Sequence, residues 1–566
     1  MMPRSYPEIA VIADAHFHDV DADFGFSGVR IGGRAMTMRS WSDTRQSTRV
    51  FNESAGALLA ALEHVQKRGI RHVVLLGDYS DDGQRATTEK LADILQQHSR
   101  EHGTAFYALP GNHDIFGPRG RHHTKQFLTE GGQAILVSSD AQLAREGAVF
   151  SDRMYCEGYP DGLRAMANFG YFRRPEYIHW ESPFGLSDAQ EDRVYEVTSP
   201  DGVNRYRLMD ASYLVEPEPG LWLLMIDANV FEPLDGSFLD GEEAAFTDST
   251  AGGWNAMLRA KPFILSWVSD VTRRARLLDK TVLAFSHYPA LDPFDGASDA
   301  EKTLFGETNV VRRTPRREVE EAFLSAGLQV HFSGHLHVEG VTTRGYDSSR
   351  VTNIAVPSLV AFPPAFKVIR PTRHHLAVDT VGLSAIAVDR DLLSGYRLET
   401  NGRHERGADA LSAESYGTFL QAHKRALVVH RYLPKEWPGA FAAAILEMNV
   451  AQAAQCVAGG VAGESDCLER SSSAQAEDLP MIDLIADWYC LRQGGHLSIE
   501  HIEPERLALY RSLTVQFGRA PDTYDGSLPS FLGVFLGALG LFLDRAAKGR
   551  PNIVVPVERA QQDVPA

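Results

Sequence analysis

Short, wholly apolar runs punctuate this chain. Ile9-Ala10-Val11-Ile12-Ala13, His72-Val73-Val74-Leu75-Leu76 and Ala105-Phe106-Tyr107-Ala108-Leu109 come first. Leu221-Trp222-Leu223-Leu224-Met225-Ile226, Val282 to Ser286 and Leu328 to Ser333 follow. Runs of this length predict buried strands. Between the first three the period changes. Ala57, Leu58, Ala61, Leu62 and Val65 recur along one face of a helix within residues 50–68, and Thr87 to His98 reads as a second helix. Strands alternating with helices predict an α/β fold. Each strand run stops at polar residues: Asp14-Ala15-His16, Gly77-Asp78, Gly111-Asn112-His113-Asp114, Asp227-Ala228-Asn229, His287, and Gly334-His335-Leu336-His337. The carboxyl ends of strands are where α/β folds place their chemistry.

Residues 115–280 are less regular and read as a long insert. They hold aromatic and Arg-rich loops, with His122-His123 expected in a solvated loop and substrate contact as the alternative, and a helical pattern over Pro262 to Arg276. Ser384 to Val388 reads as a last strand. From about Ser412 the pattern turns helical: Tyr416 to His430, Pro438 to Ala454, Pro480 to Arg492, Pro504 to Phe517 and Leu528 to Ala547, with a Gly/Ser-rich break over 458–475. The expected organisation is a first domain over 1–405 and a helical domain over 406–566. That helical region is expected to pack on the core, border a cleft or form a homo-oligomer contact.

Composition adds exclusions. Of 566 residues, 44% are apolar and 23% charged, as in an ordinary globular protein large enough for two domains. The formal net charge of −18 argues against a basic face for nucleic-acid polymers or anionic membranes. Four cysteines are too few and scattered for a disulfide scaffold, although Cys456 and Cys467 bracket the Gly-rich break. The start lacks an apolar signal region, and Phe531 to Leu543 is too short to span a bilayer. A buried helix and a cytoplasmic location are expected.

The polar clusters suggest a metal site. An Asn amide oxygen binds hard or borderline cations, and Asp and His two apart at a strand end reach one ion. His113 can then face whatever the metal holds, with Asp114 fixing its tautomer.

Taken together, the segments resemble the calcineurin-like metallophosphoesterase superfamily, whose order is D-x-H, G-D, G-N-H-[DE], H, G-H-x-H. The resemblance implies a four-layer α/β (α+β) sandwich, two mixed β-sheets flanked by helices, here with a C-terminal all-α domain. It implies two divalent or trivalent metal ions (Mn, Fe or Zn). One takes Asp14, His16, Asp78 and His337; the other takes Asp78, Asn112, His287 and His335. Two such ions about 4 Å apart can hold a hydroxide for in-line attack on phosphorus. His113 is left as the proton donor, oriented by Asp114.

Departures narrow the branch. Protein phosphatases of the superfamily carry G-D-x-V-D-R-G, whereas here Asp82 stands where that Arg would be. The metal-binding Tyr of purple acid phosphatases is Asp81 here. Gly77-Asp78-Tyr79-Ser80-Asp81-Asp82-Gly83 with Gly111 to Asp114 is similar to the bacterial class III cyclic-nucleotide phosphodiesterases. A phosphodiesterase on small nucleotide-type diesters is therefore expected. The alternatives are a phosphomonoesterase or pyrophosphatase on nucleotide- or lipid-linked phosphates, or a scaffold that has lost its ligands.

Overall fold

The computed structural model describes residues 5–238, 243–346, 349–400, 408–459, 474–520 and 524–557. Two mixed sheets form its centre. The first has six strands in the order Asn552–Pro556, His375–Gly382, Ala365–Pro371, Ile9–Ile12, His72–Leu76, Ala105–Leu109. The last three run parallel, and Ala365–Pro371 pairs antiparallel with Ile9–Ile12. The second sheet has seven strands in the order Gly340–Arg344, Val351–Ala355, Val330–Ser333, Thr281–Ser286, Leu221–Ile226, Tyr213–Glu218, His179–Glu181. Its four central members, Val351–Ala355 to Leu221–Ile226, are parallel.

The apolar runs become the strands buried on both faces. Every residue of Ile9–Ile12, His72–Leu76 and Leu221–Ile226 is buried. Parallel strands need this composition, because crossover connections cover both faces of their sheet. The core shows the layering. Leu221, Leu223, Met225, Phe285 and Phe332 share one cluster with Val11, Val74 and Tyr107 of the first sheet. Trp222, Leu224, Ile226 and Ala284, on the opposite face, pack with Met257, Val268 and Phe323 of three helices, Gly253–Ala260, Pro262–Leu277 and Arg317–Ala326. On the other side the helix Ser54–Arg68 buries Ala57, Leu58, Ala61, Leu62 and Val65, the face its spacing predicts. The order is helix, sheet, sheet, helix.

Three expectations change. Residues 115–280 are not one separate insertion, since they supply three strands of the second sheet, His179–Glu181, Tyr213–Glu218 and Leu221–Ile226. Ser384 to Val388 is a turn in which only Ala387 bridges, to Ser415. The strand that follows Ala365–Pro371 is His375–Gly382 instead, whose mixed burial hides it from a search for apolar runs. Finally, the helical region does not end as helix. Asn552–Pro556 returns to pair with His375–Gly382 at the edge of the first sheet.

The helices Tyr416–Leu427, Met481–Gly494, Pro504–Phe517 and Leu528–Lys548 build a further core around Trp488, Phe535 and Phe542. That core also takes in Phe294, Leu336 and Val338 from the loops beside the second sheet and Leu304 from the helix Ser298–Phe305. Leu528–Lys548 is the one helix among the described residues long and apolar enough to cross a membrane, yet 67% of its most apolar window is buried inside the protein. Burial of Phe531, Phe535, Leu539 and Phe542 accounts for its composition. Cys467 and most of the Gly/Ser-rich break lie outside the described residues.

Candidate metal centre

Strand register brings the polar clusters together. Ile12 lies opposite Leu75 and Leu76 opposite Leu109, so Asp14, Asp78 and Asn112 leave one edge of the first sheet side by side. In the second sheet Ile226 pairs with Ser286 and Phe285 with Phe332, which brings His287 and the 334–337 turn to one edge. The two edges are stitched directly. The His335 amide donates to the Asp14 carboxylate (3.0 and 3.1 Å), and His287 Nδ1 meets the Leu76 carbonyl (3.0 Å).

The local backbone is strained at these positions. Asp14, His16, Asp78, Asp82, His335 and His337 all have positive φ, from 40° to 70°. Non-glycine residues seldom adopt that region, and such strain clusters at functional sites. Two glycines leave room for ligand groups. A Cβ at Gly111 would lie 2.2 Å from Asp78 Oδ1, and one at Gly334 would lie 2.5 Å from Asp14 Oδ2. The glycines of the Gly-Asn-His-Asp and Gly-His-x-His stretches are thus required by close approach of the carboxylates.

Two groups of buried ligand atoms result: Asp14, His16 and His337; and Asp78, His287 and His335, each within 4.8 Å of one another. Asp78 Oδ2 sits between the groups, 3.2 Å from His287 Nε2 and 3.7 Å from His16 Nε2. Imidazole nitrogens face one another, His16 to His337 at 3.1 Å and His287 to His335 at 3.2 Å. Asn112 Oδ1 is buried and accepts no hydrogen bond from any described residue. Burial and the Arg49 charge hold His16 well below its ordinary pKa, and burial with Arg313 does the same for His335. Neutral imidazole is the form that binds a cation. Beside Asp78 the site demands positive charge. Burial opposes protonation of His287, yet Asp78 pushes that ring up to about 9. Mixed carboxylate, imidazole and amide oxygen donors, packed this closely and with an orphaned Asn112 oxygen, fit a pair of borderline metal ions.

His113 lies beside this set. Its backbone N–H donates to Asp78 Oδ1 (2.7 Å), and its ring packs edge-on against His16 at 5.0 Å. The sequence reading gives Asp114 the task of orienting this ring. The structure corrects that. The Asp114 carboxylate turns away and accepts from the Gly111 N–H (2.9 Å), the Ser80 N–H (2.9 Å) and the Ser80 hydroxyl (2.7 Å), so it braces the turn. Burial, with the Asp78 charge, pushes it up to about 7. The ring partner of His113 is Asp82, whose Oδ1 lies 2.5 Å from Nδ1. Burial opposes ionisation of Asp82, but Lys125 (2.8 Å) and Arg49 (3.0 Å) override it and hold the carboxyl well below its usual range. Asp81 is likewise held by Lys125 (2.6 Å) and Arg49 (3.0 Å). His123, expected in a solvated loop, instead puts Nε2 3.4 Å from Asp82 Oδ2 and stacks on Phe116.

A cavity of about 580 Å³ opens over the centre. Asp78, Asn112, His113, His335 and His337 form its floor, with Arg49, Arg313 and Arg431 among its walls. Sequence reasoning missed Arg49, Arg313 and Arg431, which sit in polar or helical stretches with no motif. Asp82 was visible in the 77–83 motif, but nothing there showed that it faces His113.

Residues 7–186 match the family model described as Calcineurin-like phosphoesterase. That match covers Asp14, His16, Asp78 and Asn112; His287, His335 and His337 lie beyond it and are joined to them by the geometry above. No curated protein matches the chain. Among solved structures, the chain is similar to a dimetal phosphatase from Danio rerio, with 15% identity and a TM-score of 0.36, covering 67% of this chain and 97% of that one. A likeness of that size carries no argument about activity.

Proposed function

We propose that this protein is a metal-dependent hydrolase of phosphoester bonds that acts on small diesters such as cyclic nucleotides. One observation carries the proposal: two buried ligand groups meet at Asp78, with the Asn112 oxygen unpartnered beside them. The match of residues 7–186 to the phosphoesterase family supports it. Asp14, His16 and His337 would hold one ion and Asn112, His287 and His335 the other, with Asp78 shared. When bound, such ions act as Lewis acids toward phosphoryl oxygens.

The chain's own groups supply the proton chemistry. Asp82 accepts from His113 Nδ1–H, which leaves Nε2 to serve the cleft. Ionised Asp82 also stabilises the imidazolium form, so His113 can donate from Nε2 to a departing oxygen. Arg49 and Lys125 keep Asp82 ionised. Gly111 and Ser80 fix the turn that carries His113 through Asp114.

The test pairs metal analysis with Mn²⁺-dependent hydrolysis of bis-p-nitrophenyl phosphate and p-nitrophenyl phosphate. Hydrolysis of the diester is expected, and Asp78→Ala should lower bound metal. Inactivity with every divalent metal sinks the enzyme reading, and much faster turnover of the monoester sinks the diester preference. A second reading, cleavage of a phosphomonoester or phosphoanhydride, is favoured by the charge of the cleft. Asp81 and Asp82 do not make it acidic, because Arg49 and Lys125 neutralise them.

A further inference from the structure

Five guanidiniums line the cavity over the metal centre: Arg39, Arg49, Arg313, Arg431 and Arg492. Three have carboxylate partners. Arg39 pairs with Asp43 (3.1 Å), Arg49 with Asp81 and Asp82 (3.0 Å each), and Arg492 with Glu301 (2.6 Å). Arg313 and Arg431 have none within 4 Å among the described residues. Arg313 ends the short helix Asn309–Arg313 and makes no side-chain hydrogen bond to any described residue. Arg431 comes from the helical region, in the turn Val428–Tyr432 that continues the helix Tyr416–Leu427. Its Nη1 donates to the Gln46 carbonyl (2.8 Å), while its Nε is buried and unpartnered.

Both side chains are half-buried. Burial lowers the pKa of Arg313; Tyr288, Asp248 and Asp78 oppose that, and the Arg431 charge adds to the lowering. Two like charges beside one cavity, neither ion-paired within 4 Å among the described residues, suit an anion that joins them. The acids that share the cavity do not serve. Asp43 is taken by Arg39, and Asp248 accepts from the Thr250 N–H (2.8 Å) to cap a turn. Glu436 is raised above its ordinary pKa by burial, which favours its neutral form. Arg313 also acts on His335, which places it next to the metal ligands. Guanidinium is the side chain best shaped for phosphate, offering paired N–H donors in a plane.

We propose that Arg313 and Arg431 form a second anion subsite, which takes a phosphate carried by the same substrate as the scissile phosphoryl group. The site rests on the phosphoesterase reading for its first anion, but its own binding does not require turnover. It makes the helical region part of substrate recognition, because Arg431 reaches the cleft from there. The substrate class is a small molecule with two separated anionic groups, such as a nucleotide bearing a further phosphate. The cavity volume suits a ligand of that size.

The test is calorimetric binding of adenosine 3′,5′-bisphosphate and adenosine 5′-monophosphate to the full chain, without a turnover readout. The wild type should bind the bisphosphate at least ~10-fold more tightly, and Arg313→Gln or Arg431→Gln should each abolish most of that preference. Affinity for the monophosphate should change less than threefold. Arg313→Lys and Arg431→Lys keep the charge and should keep part of the preference, which guards against a misfolded Gln variant. Arg317→Gln removes an exposed charge outside the cleft and should leave the ratio alone. Equal affinities in the wild type overturn the proposal. So does a preference that survives the double Gln variant, or an equal loss in Arg317→Gln. If free inorganic phosphate tightens monophosphate binding, the subsite takes an unlinked anion and the claim about the substrate fails. A preserved preference in a protein with no hydrolase activity refutes the proposed function and leaves this subsite standing.

Discussion

Replacing Asp82 with Asn separates the two acids that compete for the role of His113's partner. The Asp82 Oδ1 to His113 Nδ1 contact is 2.5 Å, and His113 lies inside the cleft. A hydrogen bond to a charged group contributes about 1.5–3 kcal/mol, and each 1.36 kcal/mol is tenfold in rate. Asp82→Asn should therefore lower kcat about 10- to 150-fold. The Asn amide can present its oxygen to Nδ1–H, so the ring stays seated, but it cannot stabilise an imidazolium. Asp82 is not among the two ligand groups, so bound metal should not change. Asp114→Asn is the contrast. It disturbs a carboxylate that holds the Gly111 and Ser80 amides and the Ser80 hydroxyl, so it should cost about 1–3 kcal/mol of stability. The assay is kcat and KM on bis-p-nitrophenyl phosphate, with metal content by mass spectrometry and midpoints of urea unfolding. The reasoning fails if Asp82→Asn keeps full kcat, if it loses metal in step with activity, or if Asp114→Asn shows the larger loss of kcat per unit of stability lost.

His113→Ala should retain both metals and lose most turnover; an emptied site in metal analysis would make His113 a ligand instead. Gly111→Ala drives a methyl group to 2.2 Å from Asp78 Oδ1, so bound metal should fall while the far-UV spectrum stays near wild type. Retention of full metal occupancy would show that the turn relaxes. Glu53 is buried, accepts from the Tyr396 hydroxyl (3.3 Å), and is pushed up by burial to about 7 from an ordinary 4.5. Its folded form therefore holds a proton that the unfolded form releases between these values, and stability falls as pH rises through them. Glu53→Gln should remove that slope, so its gain over wild type in urea unfolding should be about 2–3 kcal/mol larger at pH 8 than at pH 5. An equal difference at both pH values refutes the burial of an unpaired carboxyl.

The sequence alone determined the strands that carry the candidate ligands. Ile9–Ile12, His72–Leu76, Ala105–Leu109 and Leu221–Ile226 are visible because a strand buried on both faces must be apolar at every position. The residues just past them are visible because each cluster is local, a few positions written next to one another. His375–Gly382 and Asn552–Pro556 were not legible, since their mixed burial lacks that uniform pattern. Tertiary structure alone decided who meets His113. Asp114 is its neighbour in sequence, but positive φ at Asp82 and the turn at Gly111 aim the more distant Asp82 at the ring. It also decided the charge of the cleft. Arg49, Arg313 and Arg431 come from a loop, a short helix and the C-terminal helices, and their spacing along the chain carries no trace of their meeting. Apolar periodicity records which face of an element is buried. It does not record which polar side chains from remote elements converge at the edge where those elements end.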